Sequence, residues 1–216
     1  MFKSKSLSFG IAALVMVMVD LSYAETNPAP PANAMVEVKP TPAKYANSLK
    51  FDLAKNPSKV EFFIIGKPSM LKINGTGAKL YGFASITENV LNANVGVPLK
   101  NLTTGIELRD EHMKNKYLDV EKYPYAILKI LNADLGKNIL SGPGEIKNLK
   151  TKGQLKIRGI TKDVDIDLSL SFNEKSISID ATTKFLITEF GIEIPSYMGI
   201  KIADEVIVIT SAQLKK

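Results

Sequence analysis

Val164-Asp165-Ile166-Asp167-Leu168-Ser169-Leu170-Ser171-Phe172 decides the fold of this chain. Val164, Ile166, Leu168, Leu170 and Phe172 fall on one side of an extended backbone, and Asp165, Asp167, Ser169 and Ser171 fall on the other. Side chains alternate faces along a strand, so the stretch reads as a half-buried β-strand with one clean apolar side. The next segment repeats the pattern, with Ile177, Ile179 and Ala181 opposing Ser176, Ser178 and Asp180. Asn173-Glu174-Lys175 between them is a short polar turn, which predicts a hairpin. Further strands are expected over residues 49–53, 59–65, 79–87, 90–97, 125–135, 153–158 and 205–214. Lys67-Pro68-Ser69 and Gly75-Thr76-Gly77 read as turns. Residues 110–118 contain helix formers and no β-branched residue, so a short helix is expected there, ending before Pro124. The whole is an all-β, antiparallel barrel or sandwich. A barrel of about eight strands has an interior that side chains just fill, or one that holds a single small ligand.

Alternation alone does not say which face points inward, because an outer-membrane barrel also alternates, with its apolar face turned to lipid. Trp is absent, aromatics are few and the chain ends in Lys215-Lys216. The helical interruption breaks the strand rhythm as well. These features favour a barrel with an apolar interior and a polar outside.

Residues 1–24 read as a secretory signal cleaved after Ala24. Lys3 and Lys5 supply the positive start and residues 9–19 the apolar run, which is shorter than the roughly 20 residues of a spanning helix. Ser22-Tyr23-Ala24 supplies the small residues before the cut. Residues 25–47, with Pro28, Pro30, Pro31, Pro40 and Pro42, read as a disordered linker. Residues 48–216 form the domain. No second long apolar run follows, so the mature chain is expected to be free of stable membrane insertion.

Composition narrows the function. The 216 residues include no Cys and one His. That excludes a disulfide scaffold, a thiolate metal site, a cysteine nucleophile and a multi-histidine metal site. No cofactor is implied. Export without cysteine fits a bacterial periplasm. The formal charge of +6 comes from 28 basic residues, of which only Arg109 and Arg158 are Arg. The Lys residues are scattered rather than striped with aromatics, so the charge reads as a solvated surface, and nucleic acid ranks last among partners.

Several blocks resemble the YceI-like family, exported lipid- or polyisoprenoid-binding proteins with a lipocalin-like barrel. They are Ser58-Lys59-Val60-Glu61-Phe62; Thr104-Gly105, Arg109-Asp110, His112-Met113, Tyr117-Leu118-Asp119-Val120 and Lys122-Tyr123-Pro124; Gly153 to Lys162; and Phe190-Gly191-Ile192. The resemblance covers roughly residues 48–214. The chain departs from the family pattern at Pro57, Gly66-Lys67 and Ile187. What the resemblance implies is a long isoprenoid or other apolar chain held in a lipocalin-like barrel. Homodimerisation is compatible with such a barrel, although the sequence shows no dedicated seam.

Two groups of residues are candidates for contact with such a ligand. Arg109, Asp110 and His112 open the expected helix, and Arg158 closes a strand; together they form a candidate polar mouth. The competing reading makes Asp110 a helix cap, Arg109 a loop-fixing ion pair and Arg158 a rim ion pair with Asp163 or Asp165. Leu155, Ile157, Val164, Ile166, Leu168, Leu170, Phe172, Ile177 and Ile179 are the candidate interior. Filled core and cavity need the same pattern, and only the family resemblance favours the cavity. His112 is a lone candidate base without a Gly-x-Ser-x-Gly motif, so a lipid-acting enzyme ranks below a binding protein, as does a periplasmic partner-binding protein with a filled core.

Overall fold

In the computed structural model, residues 48–67, 72–136, 139, 142–197 and 200–216 are described. The signal and linker expectations for residues 1–47 lie outside them, as do Pro68 and Ser69. The strands are β1 (Ser48–Asp52), β2 (Ser58–Lys67), β3 (Lys72–Ala78), β4 (Tyr81–Thr87), β5 (Val90–Pro98), β6 (Tyr125–Asp134), β7 (Gly144–Ile157), β8 (Ile160–Phe172), β9 (Ser176–Leu186), β10 (Ser196–Tyr197) and β11 (Ile200–Lys215). All belong to one antiparallel sheet, ordered β1-β4-β5-β6-β7-β8-β9-β11-β2-β3, with β10 beside β11. The sheet curls into a barrel-like shell, and the expected all-β class holds with more strands than eight.

The decisive stretch sits in β8, where Val164, Ile166, Leu168, Leu170 and Phe172 are all buried. Asp163 and Asp165 face out, and Lys150 of β7 pairs with Asp167. The apolar face therefore points inward, opposite to an outer-membrane barrel. The β8–β9 hairpin forms as expected: Asn173 Oδ1 accepts from the Lys175 N–H at 2.8 Å and the Ser176 N–H at 2.9 Å. Among the described residues no helix is long and apolar enough to cross a membrane.

Two expectations need correction. Gly75-Thr76-Gly77 is not a turn but the middle of β3. A Cβ on Gly75 would lie 2.0 Å from the Phe62 ring, and one on Gly77 would lie 2.9 Å from Leu102. Both glycines serve close approach of side chains to a strand backbone. The helix also starts earlier than expected: α1 (Glu107–Glu111) runs into a wider π-helical segment, His112–Leu118, closed by Asp119 in the left-handed region at φ 51°.

The segment between β5 and β6 thus forms a strap. Leu99, Leu102 and Val120 are buried, with Met113, Tyr117 and Leu118 packed against the core. The strap crosses to the free edge of β3, where Thr76 and Thr103 exchange two backbone hydrogen bonds, each 2.8 Å. No ladder joins the edge strands β1 and β3 among the described residues.

Candidate functional site

The curl of the sheet brings short side chains from facing strands together. Ala84 of β4, Ala93 of β5, Ala181 of β9 and Ala212 of β11 leave a cavity of about 40 Å³. Leu91, Val95, Leu128, Ile130, Ile179 and Leu214 complete most of the wall, with Leu53 and Leu80 from the connecting turns. Thr210 is the polar residue on the wall, and its hydroxyl donates to the Ala181 carbonyl at 3.4 Å. The lining therefore presents hydrocarbon and almost no uncommitted polarity.

Eight of the candidate interior residues, Leu155, Ile157, Val164, Ile166, Leu168, Leu170, Phe172 and Ile177, are buried in the core but are not on the wall of this cavity. The ninth, Ile179, is on its wall. Ala181 lies on the apolar face that the sequence predicts for β9, whereas Ala84, Ala93 and Ala212 carry little hydrophobic signal, and the meeting of all four depends on strand order rather than on local pattern.

The candidate polar mouth divides into two places. At the base of the strap, Asp110 accepts from the hydroxyls of Thr103 and Thr104 and from the Thr104 N–H at 2.7 Å. Arg109 donates through Nε to Thr104 Oγ1 at 2.8 Å and through Nη2 to the Thr104 carbonyl at 3.1 Å. Asp110 lies within α1 rather than at its cap position, which Ile106 occupies without a side-chain bond. Arg109 fixes the loop as the competing reading expects, through Thr104 instead of a carboxylate. Partial burial pushes the Asp110 carboxyl up. The hydrogen bonds from Thr103 and Thr104, together with the Lys114 charge, outweigh that and hold it below the ordinary Asp value. His112 is exposed beside them.

A shallow groove of about 590 Å³ runs past this cluster, lined by Thr103, Gly105, Glu107, Asp110, Glu111, Lys114 and Asn115. Three carboxylates face one ammonium there, an arrangement that disfavours an anionic head group. Arg158 stands apart, in the β7–β8 turn. Its Nη1 donates to the Gly191 carbonyl at 2.7 Å, and it forms no ion pair with Asp163 or Asp165.

An antiparallel curled sheet with an apolar interior, crossed by a helical strap, defines a lipocalin-like barrel protein. A model of the YceI-like domain matches residues 51–214. The chain belongs to the YceI-like family. Among solved structures it is similar to a polyisoprenoid binding domain from Saccharophagus degradans implicated in plant cell wall breakdown. That match has 14% identity and a TM-score of 0.57, covering 77% of this chain and 97% of that one. It is also similar to Burkholderia cenocepacia BcnA, at 18% identity and a TM-score of 0.58, covering 76% of this chain and 98% of that one. A third similar structure is the Campylobacter jejuni YceI protein, at 15% identity and a TM-score of 0.50, covering 67% and 85%. No curated protein matches the chain.

Proposed function

We propose that this protein binds a polyisoprenoid or other long apolar lipid chain inside the barrel, as an exported carrier or store in a bacterial periplasm. In this reading residues 1–24 are the cleaved signal, residues 25–47 a linker and residues 48–216 the binding domain. The observation that carries it is the interior: an almost wholly hydrocarbon cavity whose one hydroxyl is already engaged. Each CH₂ buried there contributes roughly 0.8 kcal/mol, so a long chain needs few polar contacts. Family membership and the polyisoprenoid-binding neighbour support the same ligand class. His112 is exposed and lines neither the cavity nor the groove, which supports binding rather than catalysis.

A cavity of about 40 Å³ is far below the roughly 300–1,000 Å³ of ordinary ligand pockets, so the wall parts to admit a chain. In this reading the way in lies under the strap, which closes the shell beyond the cavity wall and is anchored by the buried Leu99, Leu102 and Val120. At the free edge of β3 the strap is held by the two Thr76–Thr103 hydrogen bonds, each contributing about 0.5–1.5 kcal/mol net. The small cavity also favours a second reading, a filled-core protein that binds a macromolecular partner. Organic extraction of protein isolated from its native membranes, followed by mass spectrometry, separates the two: a bound apolar chain supports the first reading, and an empty interior supports the second.

A further inference from the structure

An aromatic surface lies on the outside of the shell, over β4, β5 and β6. Ala84 and Leu128 line the cavity, so Tyr81 and Phe83 of β4 and Tyr125 and Ile127 of β6, at the alternate positions, point outward. Gly96 of β5 separates the two strands, paired with Tyr81 on one side and Ile127 on the other. It carries no side chain, and the Tyr81 and Tyr125 rings meet edge to face with their centroids 6.2 Å apart. Phe83 is 54% exposed, and the other three are half-buried. Single apolar residues on a surface are ordinary, whereas a contiguous group marks a contact surface.

The chain supplies a segment of matching chemistry close by. Residues 25–47 lead into β1 at Ser48, and β1 is the strand beside β4, with Ser48 opposite Thr87 and Asp52 opposite Phe83. Lys39-Pro40-Thr41-Pro42 contains the nearest proline pair. Proline fixes its own φ, and the residue before a proline favours extended backbone, so all four residues are biased to polyproline II. Aromatic-lined surfaces bind such segments, which lose little entropy on docking. The reach agrees as well. From Thr87, Phe83 and Tyr81 lie about 13 and about 20 Å along β4, at roughly 3.3 Å per residue. Pro42 and Pro40 stand six and eight residues before Ser48, which is about 19 and about 25 Å of polyproline II. A chain that reverses before Ser48 and runs back along the outer face brings the proline pair over Phe83 and Tyr81. The tether sets an effective concentration on the order of millimolar, so even a weak surface is occupied by it ahead of a separate partner.

We propose that the outer face of β4–β6 is the docking surface for the chain's own Lys39–Pro42 segment, held in polyproline II against Tyr81, Phe83 and Tyr125. The tyrosine hydroxyls supply donors for backbone carbonyls that polyproline II leaves unpaired. Once docked, the segment is a fixed arm rather than a free tether. It borders Pro98 and Tyr125, the residues between which the strap departs and returns. The surface is on the opposite side of the wall from the cavity, so the proposal is independent of chain binding.

The chain has no cysteine, so Val38→Cys, made in the chain without residues 1–24, gives a single site for a nitroxide label. NMR line broadening then reads where the segment lies. The amide signals of Tyr81, Phe83, Tyr125 and Ile127 are expected to lose most of their intensity, while those of Asp165 and Lys184, exposed on β8 and β9, keep theirs. Pro40→Ser/Pro42→Ser changes no residue of the barrel and is expected to return most of the lost intensity. Phe83→Ala, at a mostly exposed position, is expected to do the same with both prolines in place, and circular dichroism checks that the sheet remains. Broadening confined to the neighbourhood of Ser48, or unchanged in both variants, would overturn the proposal. So would broadening of isotope-labelled chain by separate nitroxide-labelled copies, since that assigns the surface to a second copy of the chain.

Discussion

Locking the strap to β3 would stop a ligand from reaching the interior without touching the interior itself. Thr76 and Thr103 form a hydrogen-bonded antiparallel pair, for which the Cα–Cα separation is about 5.5 Å, inside the range a disulfide spans. The chain contains no cysteine, so the double variant Thr76→Cys/Thr103→Cys has a single possible bridge. It closes a loop of about 28 residues, and chain entropy then stabilises the fold by about 3–4 kcal/mol. For a domain of this size that raises Tm by roughly 10 °C. In the reduced protein, opening the pair breaks two hydrogen bonds at a net cost of about 1–3 kcal/mol and exposes the neighbouring buried Leu102 at a further cost of about 1.5–3 kcal/mol, so roughly one molecule in a hundred to one in ten thousand is open at this point. Oxidation removes that population. Uptake of a fluorescent polyene fatty acid, followed by stopped-flow fluorescence, is expected to slow at least tenfold on oxidation and to recover on reduction. Equal uptake by the oxidised and reduced protein, with the bridge confirmed by mass, would refute the strap as the route of access.

Three other perturbations test separate links of the chain from sequence to function. Ala181→Phe places a ring where the cavity wall is shortest. It is expected to cost about 1–3 kcal/mol in denaturant titration and to abolish polyene binding while the β-sheet circular dichroism remains. Gly75→Ala sets a methyl group against the Phe62 ring and should lower stability by about 1–3 kcal/mol, with Phe62→Leu in the same chain restoring part of it. Asp110 has its folded pKa below its unfolded value, so its contribution to stability is present above the unfolded pKa and is lost as pH falls through the folded one. Asp110→Asn should flatten the dependence of Tm on pH across the acidic range below about pH 4 and leave the slope above it unchanged.

The alternation of residues 164–172 and the hairpin at Asn173 were legible because both are local: period two fixes the face and Asn173 fixes the turn. The strands that escaped notice depend on what lies over them. Gly75 and Gly77 carry the composition of a turn, and only Phe62 and Leu102 packing on their backbones shows why a strand has them. The first half of β7 hides its alternation because a bulge between Ile146 and Leu149, with Asn148 at φ 54°, shifts the register. At the site, the sequence marks Arg109, Asp110 and Arg158 as unusual. Their different fates depend on distant partners, Thr103 and Thr104 for the first two and Gly191 for the third. The alanine-lined cavity was beyond local reading altogether, since β4, β5, β9 and β11 meet only through the closing curl of the sheet.

The central claim is that the interior holds an apolar chain. Its most direct test is extraction with organic solvent of protein purified without detergent from its native cells, with the extract weighed against protein by quantitative mass spectrometry. A single class of long-chain isoprenoid or lipid, at close to one molecule per chain, is the expected result. Protein that is folded, native and free of any such molecule would contradict the claim and leave the interior as a filled core.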